Sequence, residues 1–247
     1  MQPDNVLSNK VIHEENDVLH SLIINNIPEN SMDMEVLQQL FINLSAITSD
    51  GNFKPVVIRS RGDNFSMGYD CSCHLVKDND FLLSVVSLGT GIMQLIRNYE
   101  APVVSYCKGF TLGAGLELTL ISDYSVGEKN SKYGLPDILF NFPSIIIPPE
   151  GMRHFISDNT VKELATGRIL TFNESLEHGI IFRNGNLQDA ENMAISLNNT
   201  FFRRIKGSRF MKNEIIKAYA HHIETINTKT IRLKELESFR QKLRETA

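Results

Sequence analysis

The chain has 247 residues, 42% of them hydrophobic, with a formal net charge of −4 and a pI of about 6.0. That size suits one large domain, or a domain with a short helical appendage, burying roughly 75% of its unfolded surface without a disulfide or metal staple. The slight acidity offers nothing global to nucleic acid or to an anionic membrane. Three cysteines, Cys71, Cys73 and Cys107, are too few and too oddly counted for a disulfide framework and point to a reducing compartment. Residues 1–10 carry neither a basic n-region nor an apolar h-region, and no apolar run approaches the roughly 20 residues of a membrane span, so a cytoplasmic protein is expected.

In chain order, residues 11–14 and 18–24 are β-rich runs split by Glu15-Asn16-Asp17, the pattern of a hairpin. After a turn at 25–29, Asn30 or Ser31 is placed to cap a helix to about Leu44, with Met34, Leu37, Leu40, Phe41 and Leu44 on one face. Residues 55–58 read as a buried strand and 61–64 as a turn. Residues 81–96 read as a helix that tolerates Gly89 and Gly91 at some cost. A second buried strand, 101–107, leads into Gly109, Gly113 and Gly115 and then a helical run, 116–121, with another strand at 123–128. This rhythm is α/β. The last third is helical, at 186–198 and 211–244. A core of residues 1–200 is therefore separated from a C-terminal helical region, 201–247. The final helix, 229–244, sets many charges around a thin stripe of Ile231, Leu236, Phe239 and Leu243, a pattern of an exposed or partner-facing helix. Its Arg232, Lys234, Arg240, Lys242 and Arg244, balanced in part by Glu235, Glu237 and Glu245, read as a solvated face. Cys71-Ser-Cys73-His74 has too few ligands for a structural zinc, and the adjacent His221 and His222 diverge on a helix, so no metal site is expected.

The chemistry concentrates at residues 105–123. A glycine cluster opening a helix presents unpaired backbone N–H groups at a positive dipole end, which suits an oxygen gaining negative charge. Glu117, one turn past Gly113, is placed to serve the same neighbourhood. This stretch resembles the second signature segment of the enoyl-CoA hydratase/isomerase (crotonase) superfamily. Asp63-Asn-Phe-Ser-Met-Gly-Tyr-Asp70 resembles that superfamily's first oxyanion segment, and Ser131-Lys-Tyr-Gly-Leu-Pro-Asp137 its Phe-Gly-x-Pro-Glu segment. Residues 160–179 resemble a later helical run.

The resemblance implies a crotonase-like (ClpP/crotonase) α/β spiral of ββα units with a C-terminal helical region. It implies an oxyanion hole from the backbone N–H groups of Tyr69 and Ala114. Glu117 would be the principal acid/base and Asp137, 20 residues further on, its assistant. Met67, Gly68, Gly113, Gly115, Leu135 and Pro136 would line the substrate. The first reaction implied is hydration of an enoyl-CoA. Isomerisation, and dehydration or decarboxylation of an acyl-carrier-linked intermediate, are the alternatives, and a silent oligomeric scaffold stands outside the enzyme class. Coenzyme A enters only as part of the substrate, no further cofactor is implied, and a homotrimer or homohexamer is expected. The sequence departs from the family pattern at Asn25, Asn26 and Glu29, where Arg or Lys often meets the CoA nucleotide. It departs again at Tyr69, where a small residue is usual, at Asp137 in place of glutamate, and at residues 141–149, which look like a Pro-Ala-x-x-x-Pro variant.

Overall fold

A computed structural model describes residues 9–70, 79–200 and 233–245. The N-terminal ribbon pairs β1 (Val11–Glu15) antiparallel with β2 (His20–Ile24), as the hairpin pattern predicts. Strands β3 (Val56–Ser60), β4 (Val103–Cys107), β6 (Tyr124–Gly127) and β9 (Arg183–Asn184) extend β2 in parallel, giving a six-stranded sheet of order β1-β2-β3-β4-β6-β9. Buried on both faces, β2, β3 and β4 are near-continuous runs of β-branched and aliphatic residues. A smaller sheet crosses the chain's path three times: β5 (Phe110–Leu112), β7 (Lys132–Gly134) and β8 (Ile169–Thr171), in order β5-β7-β8. Two successive units thus send one strand to the large sheet and the next to the small one before turning helical. β4 and β5 lead into helix α3 (Ala114–Ile121), and β6 and β7 lead into a 3₁₀ turn, Pro136–Phe140. The mixed α/β spiral expected from the sequence is the observed architecture.

Helix α1 (Met34–Ser49) starts later than the sequence suggested. Asp33, not Asn30 or Ser31, caps it by accepting from the Val36 N–H at 2.9 Å. Asn30 is instead buried with φ of 50°, and its amide donates to the Arg61 and Asn64 carbonyls at 2.6 and 2.7 Å, tying the 61–64 turn down. Helix α2 (Asn79–Asn98) packs against α1 and α3 through buried Val85, Val86, Ile92, Met93 and Ile96. By length and composition alone α2 reaches what a bilayer crossing needs, contrary to the sequence expectation, yet here its apolar stripe faces other helices. Short helices α4 (Pro149–Met152), α5 (Asp158–Leu164) and α6 (Phe172–Glu177) follow, then α7 (Leu187–Thr200) and the C-terminal α8 (Leu233–Glu245). Cys71, Cys73, His74, His221 and His222, with most of the helix expected from Met211, lie outside the described residues.

The two α2 glycines are not equivalent. A Cβ on Gly89 would sit 1.9 Å from the Ile145 carbonyl oxygen, so the backbone of residues 145–146 rests directly on the helix there. A Cβ on Gly91 meets only the Phe41 ring, at 2.7 Å, which is free to give. Alanine in a helix normally gains up to about 1 kcal/mol over glycine. We expect Gly89→Ala to lose about 1–3 kcal/mol instead, by overpacking, and Gly91→Ala to stay near neutral. Thermal melts of the two variants check this; equal melting temperatures would contradict the close approach at Gly89.

Candidate active site

The site forms where two glycine turns from separate segments meet. The first is at Gly68. Residues 66–70 run between the 29–32 loop and β5, held by Ser66 N–H to Phe110 O (3.0 Å), Leu112 N–H to Ser66 O (2.9 Å), Met67 N–H to Glu29 O (3.0 Å) and Met32 N–H to Gly68 O (2.8 Å). Clamped on both sides, the chain turns at Gly68 with φ of 93°, a conformation that only glycine adopts without strain. The second turn is Gly113, φ 51°, which ends β5 and precedes α3; its N–H donates to Gly134 O at 3.0 Å. A Cβ on Gly113 would lie 3.2 Å from the Gly68 Cα and 2.0 Å from Asp137 Oδ2. The spacing of the glycines in the sequence is thus a matter of room: two backbones and one carboxylate share this corner.

Helix α3 is buried throughout and begins at Ala114, whose N–H lies in the first turn and lacks an intrahelical acceptor by position. Glu117 projects from that turn and is 2% exposed. Its carboxylate is gripped by three successive amides: Oε2 accepts from Ile146 at 2.6 Å and Ile147 at 2.8 Å, and Oε1 from Ile145 at 3.4 Å. Burial pushes this carboxyl up from 4.5 to about 7; the three N–H groups pull against that shift and the nearby Asp137 charge adds to it.

Asp137 sits in the first turn of the 3₁₀ segment, after Pro136, and is buried. Its Oδ1 accepts from Arg240 Nη2 at 2.8 Å, and Arg240 Nη1 donates to the Tyr69 carbonyl at 2.5 Å. Burial raises the Asp137 carboxyl above its ordinary value and the guanidinium opposes that rise. Because Arg240 keeps its proton and is itself only 4% exposed, neutralising Asp137 would strand a buried cation. The ion pair thus opposes the rise that burial imposes on Asp137.

The sequence assigned Arg240 to a solvated face of an exposed or partner-facing helix, and this is corrected. Arg240 plugs the site, Phe239 packs on Phe140 (ring centroids 5.9 Å apart), and Arg244 pairs with Glu29 at 2.7 Å. Side-chain charge pattern alone misses this, because an amphipathic helix with a thin apolar stripe gives no sign of which arginine is desolvated. Glu29, read as a missing cation of the CoA turn, is instead the anion that anchors this helix.

The remaining expected site residues all fall in this corner. Met67, Leu135 and Pro136 are buried, Gly115 is held against Ser66, and Tyr69 is 2% exposed with its ring stacked on Phe142 at 5.3 Å. Beyond Arg240 opens a cleft of 680 Å³, lined by Asn26, Pro28, Glu29, Asp70 and Glu237 among others. Among the described residues one group could offer a metal three ligands, His13, Glu15 and His20 on the β1–β2 ribbon. There Lys54 already holds Glu15 at 2.7 Å and the two imidazoles bond each other at 3.1 Å.

Two glycine turns meeting beside a buried carboxyl at a helix start, on a spiral of ββα units, define a crotonase-type fold and its characteristic corner. The sequence profile of the family described as Enoyl-CoA hydratase/isomerase matches residues 13–245, and the chain belongs to that family. A probable enoyl-CoA hydratase of Bacillus subtilis (strain 168) is 24% identical over 162 residues, 65% of this chain and 63% of that protein. The fatty acid oxidation complex subunit alpha of Pseudomonas putida is 28% identical over 159 residues, 62% of this chain but 22% of that larger protein. These alignments span less than two thirds of either relative. A crystal structure of an enoyl-CoA hydratase/isomerase from Mycobacterium paratuberculosis shares the fold with a TM-score of 0.77 at 20% identity, over 96% of this chain and 98% of that one.

The raised Glu117 carboxyl has a consequence for stability. The folded chain keeps a proton that the unfolded chain releases above about 4.5, so the stability linked to it is full below that value and is lost as pH climbs through about 7. We expect Glu117→Gln to remove that loss, on the order of 3 kcal/mol across the window. Urea titrations at about pH 5 and about pH 8 test it. A wild type and variant that change in parallel between the two would contradict the burial of an ionisable carboxyl.

Proposed function

We propose that this chain moves a proton within an acyl thioester, shifting a carbon–carbon double bond through an enolate, with Glu117 as the single proton carrier. The observation that carries this reading is the division of labour between the two buried carboxyls. Glu117 has its carboxyl near 7, where a group serves as base and then acid with little cost. Asp137 has its Oδ1 engaged by a buried guanidinium.

In the proposed step the Glu117 carboxylate takes a proton from the α-carbon of a 3-enoyl thioester. The C–H electron pair moves toward the thioester oxygen, forming a dienolate that the N–H groups of Tyr69 and Ala114 stabilise. The same proton returns to the γ-carbon, and the electron pair comes back to form the 2-enoyl thioester. Atoms and electrons balance without water or a redox partner. Backbone donors aimed at such an oxygen are typically worth about 2.7–4 kcal/mol each. Coenzyme A or a carrier protein would deliver the thioester as part of the substrate, with no other cofactor. A cytoplasmic homotrimer or homohexamer completes the proposal.

Hydration is the second reading, favoured by the electrostatic contact of Asp137 with Glu117, which places two carboxyls at one site. It needs Asp137 released to accept the proton of water. A silent scaffold is the weakest reading: burying an ionisable carboxyl that Gln would replace at lower cost serves stability poorly.

The test is a panel of 2-enoyl and 3-enoyl thioesters, on CoA and on carrier protein, followed by mass spectrometry. We expect kcat/KM to rise with pH and level off above about 7, as ionised Glu117 accumulates. Glu117→Gln should lower turnover by roughly 10²–10⁴. Equal turnover by wild type and variant on every thioester would end the proposal.

A further inference from the structure

Arg240 stands between two environments. On one side its guanidinium holds Asp137 Oδ1 and the Tyr69 carbonyl, fixing the second carboxylate and the peptide of the expected oxyanion donor in one geometry. On the other it forms the wall of the 680 Å³ cleft, whose polar lining, with Asn26, Asp70 and Glu237, suits water. Arg240 is 4% exposed, lines that cleft and bonds Asp137, which is itself only 7% exposed. The pose is secured on both flanks of α8, by Phe239 on Phe140 and by Arg244 on Glu29.

We infer that Arg240 is the positioning residue that sets the reaction outcome: it pins Asp137 and bars cleft water from it, so the enolate is resolved by proton return rather than by addition of water. This rests on the proton-transfer reading above and adds to it the residue that selects between the family's two reactions. The chemistry follows from what hydration demands. A water O–H must break, with its proton passing to Asp137, while the hydroxide oxygen bonds to the β-carbon. The displaced π pair then collects a proton from Glu117 at the α-carbon, and Asp137 afterwards passes its proton back through solvent. With Oδ1 already accepting from the guanidinium, Asp137 has less acceptor capacity to offer a water in the first of these transfers.

A structural role alone would lower all activity equally; a role in outcome changes the ratio of products. The experiment therefore measures that ratio. Wild type, Arg240→Met, Arg240→Lys and the double variant Arg240→Met with Asp137→Asn are each incubated with 2-enoyl and 3-enoyl thioesters. The isomer and the 3-hydroxyacyl product are quantified by mass spectrometry. We expect the hydrate-to-isomer ratio to rise about a hundredfold in Arg240→Met, the low end of what one positioned general base contributes. It should rise less in Arg240→Lys, which keeps a charge without the fork, and fall back in the double variant, which lacks the freed base. Should Arg240→Met fail to fold, for want of a partner to buried Asp137, Arg240→Lys decides by itself, a few-fold rise supporting the inference. Turnover with an unchanged ratio in the folded variants overturns this inference and leaves the proton-transfer reading standing. No turnover of any thioester by the wild type removes both.

Discussion

Three consecutive amides, those of Ile145, Ile146 and Ile147, converge on one carboxylate. All three isoleucines are buried, and backbone N–H groups taken from water need acceptors. Glu117 supplies them from the first turn of α3. The same contact that satisfies the 145–147 backbone therefore holds the Glu117 carboxyl in place and pulls against the rise in proton affinity that burial imposes. It also explains the neighbouring geometry. Residues 145–146 bond Glu117 and also lie directly on α2, at the point where Gly89 has no side chain.

The fold was largely legible in the sequence because it is written in backbone requirements. Gly68 and Gly113 announce turns that no other residue makes without strain, the β-branched runs at 56–60 and 103–107 announce strands buried on both faces, and the hairpin follows from its polar break. Glu117 was placed by its offset of one turn from Gly113, whereas Asp137 was expected from the family resemblance of residues 131–137. What the sequence hid was everything set by tertiary pairing. Asp33 outcompeted Asn30 for the α1 cap because Asn30 was required by the 61–64 carbonyls. Gly89 read as a tolerated flaw because the backbone that needs the space is 56 residues away. Arg240 read as solvated because nothing local distinguishes it from Lys242, and its partner is 103 residues distant.

That hidden arginine changes what the carboxyl pair means. Two acids at one site suggest two proton carriers, as the sequence expectation of hydration assumed. In the proposed function a buried guanidinium on one of them separates their roles: the paired acid becomes part of the scaffold and the unpaired one keeps the chemistry. The charge exchange at the rim follows the same logic. Glu29 stands where a cation is common in the family, and Arg244 reaches across to it, so the polarity of the entrance is set between the 25–29 turn and α8 together. The relatives described are 20–28% identical to this chain.

The central claim is that one buried carboxyl carries the proton out of and back into the acyl chain, and isotope transfer reads it directly. A 3-enoyl thioester deuterated at its α-carbon, turned over in ordinary water enriched in ¹⁸O, is analysed for label by mass spectrometry during the first turnover phase. The account predicts that a measurable share of the product carries deuterium at the γ-carbon and that no ¹⁸O enters the acyl chain. Complete loss of the deuterium to solvent with ¹⁸O at the β-carbon would contradict it, because the proton would then have left by water and water would have been the nucleophile.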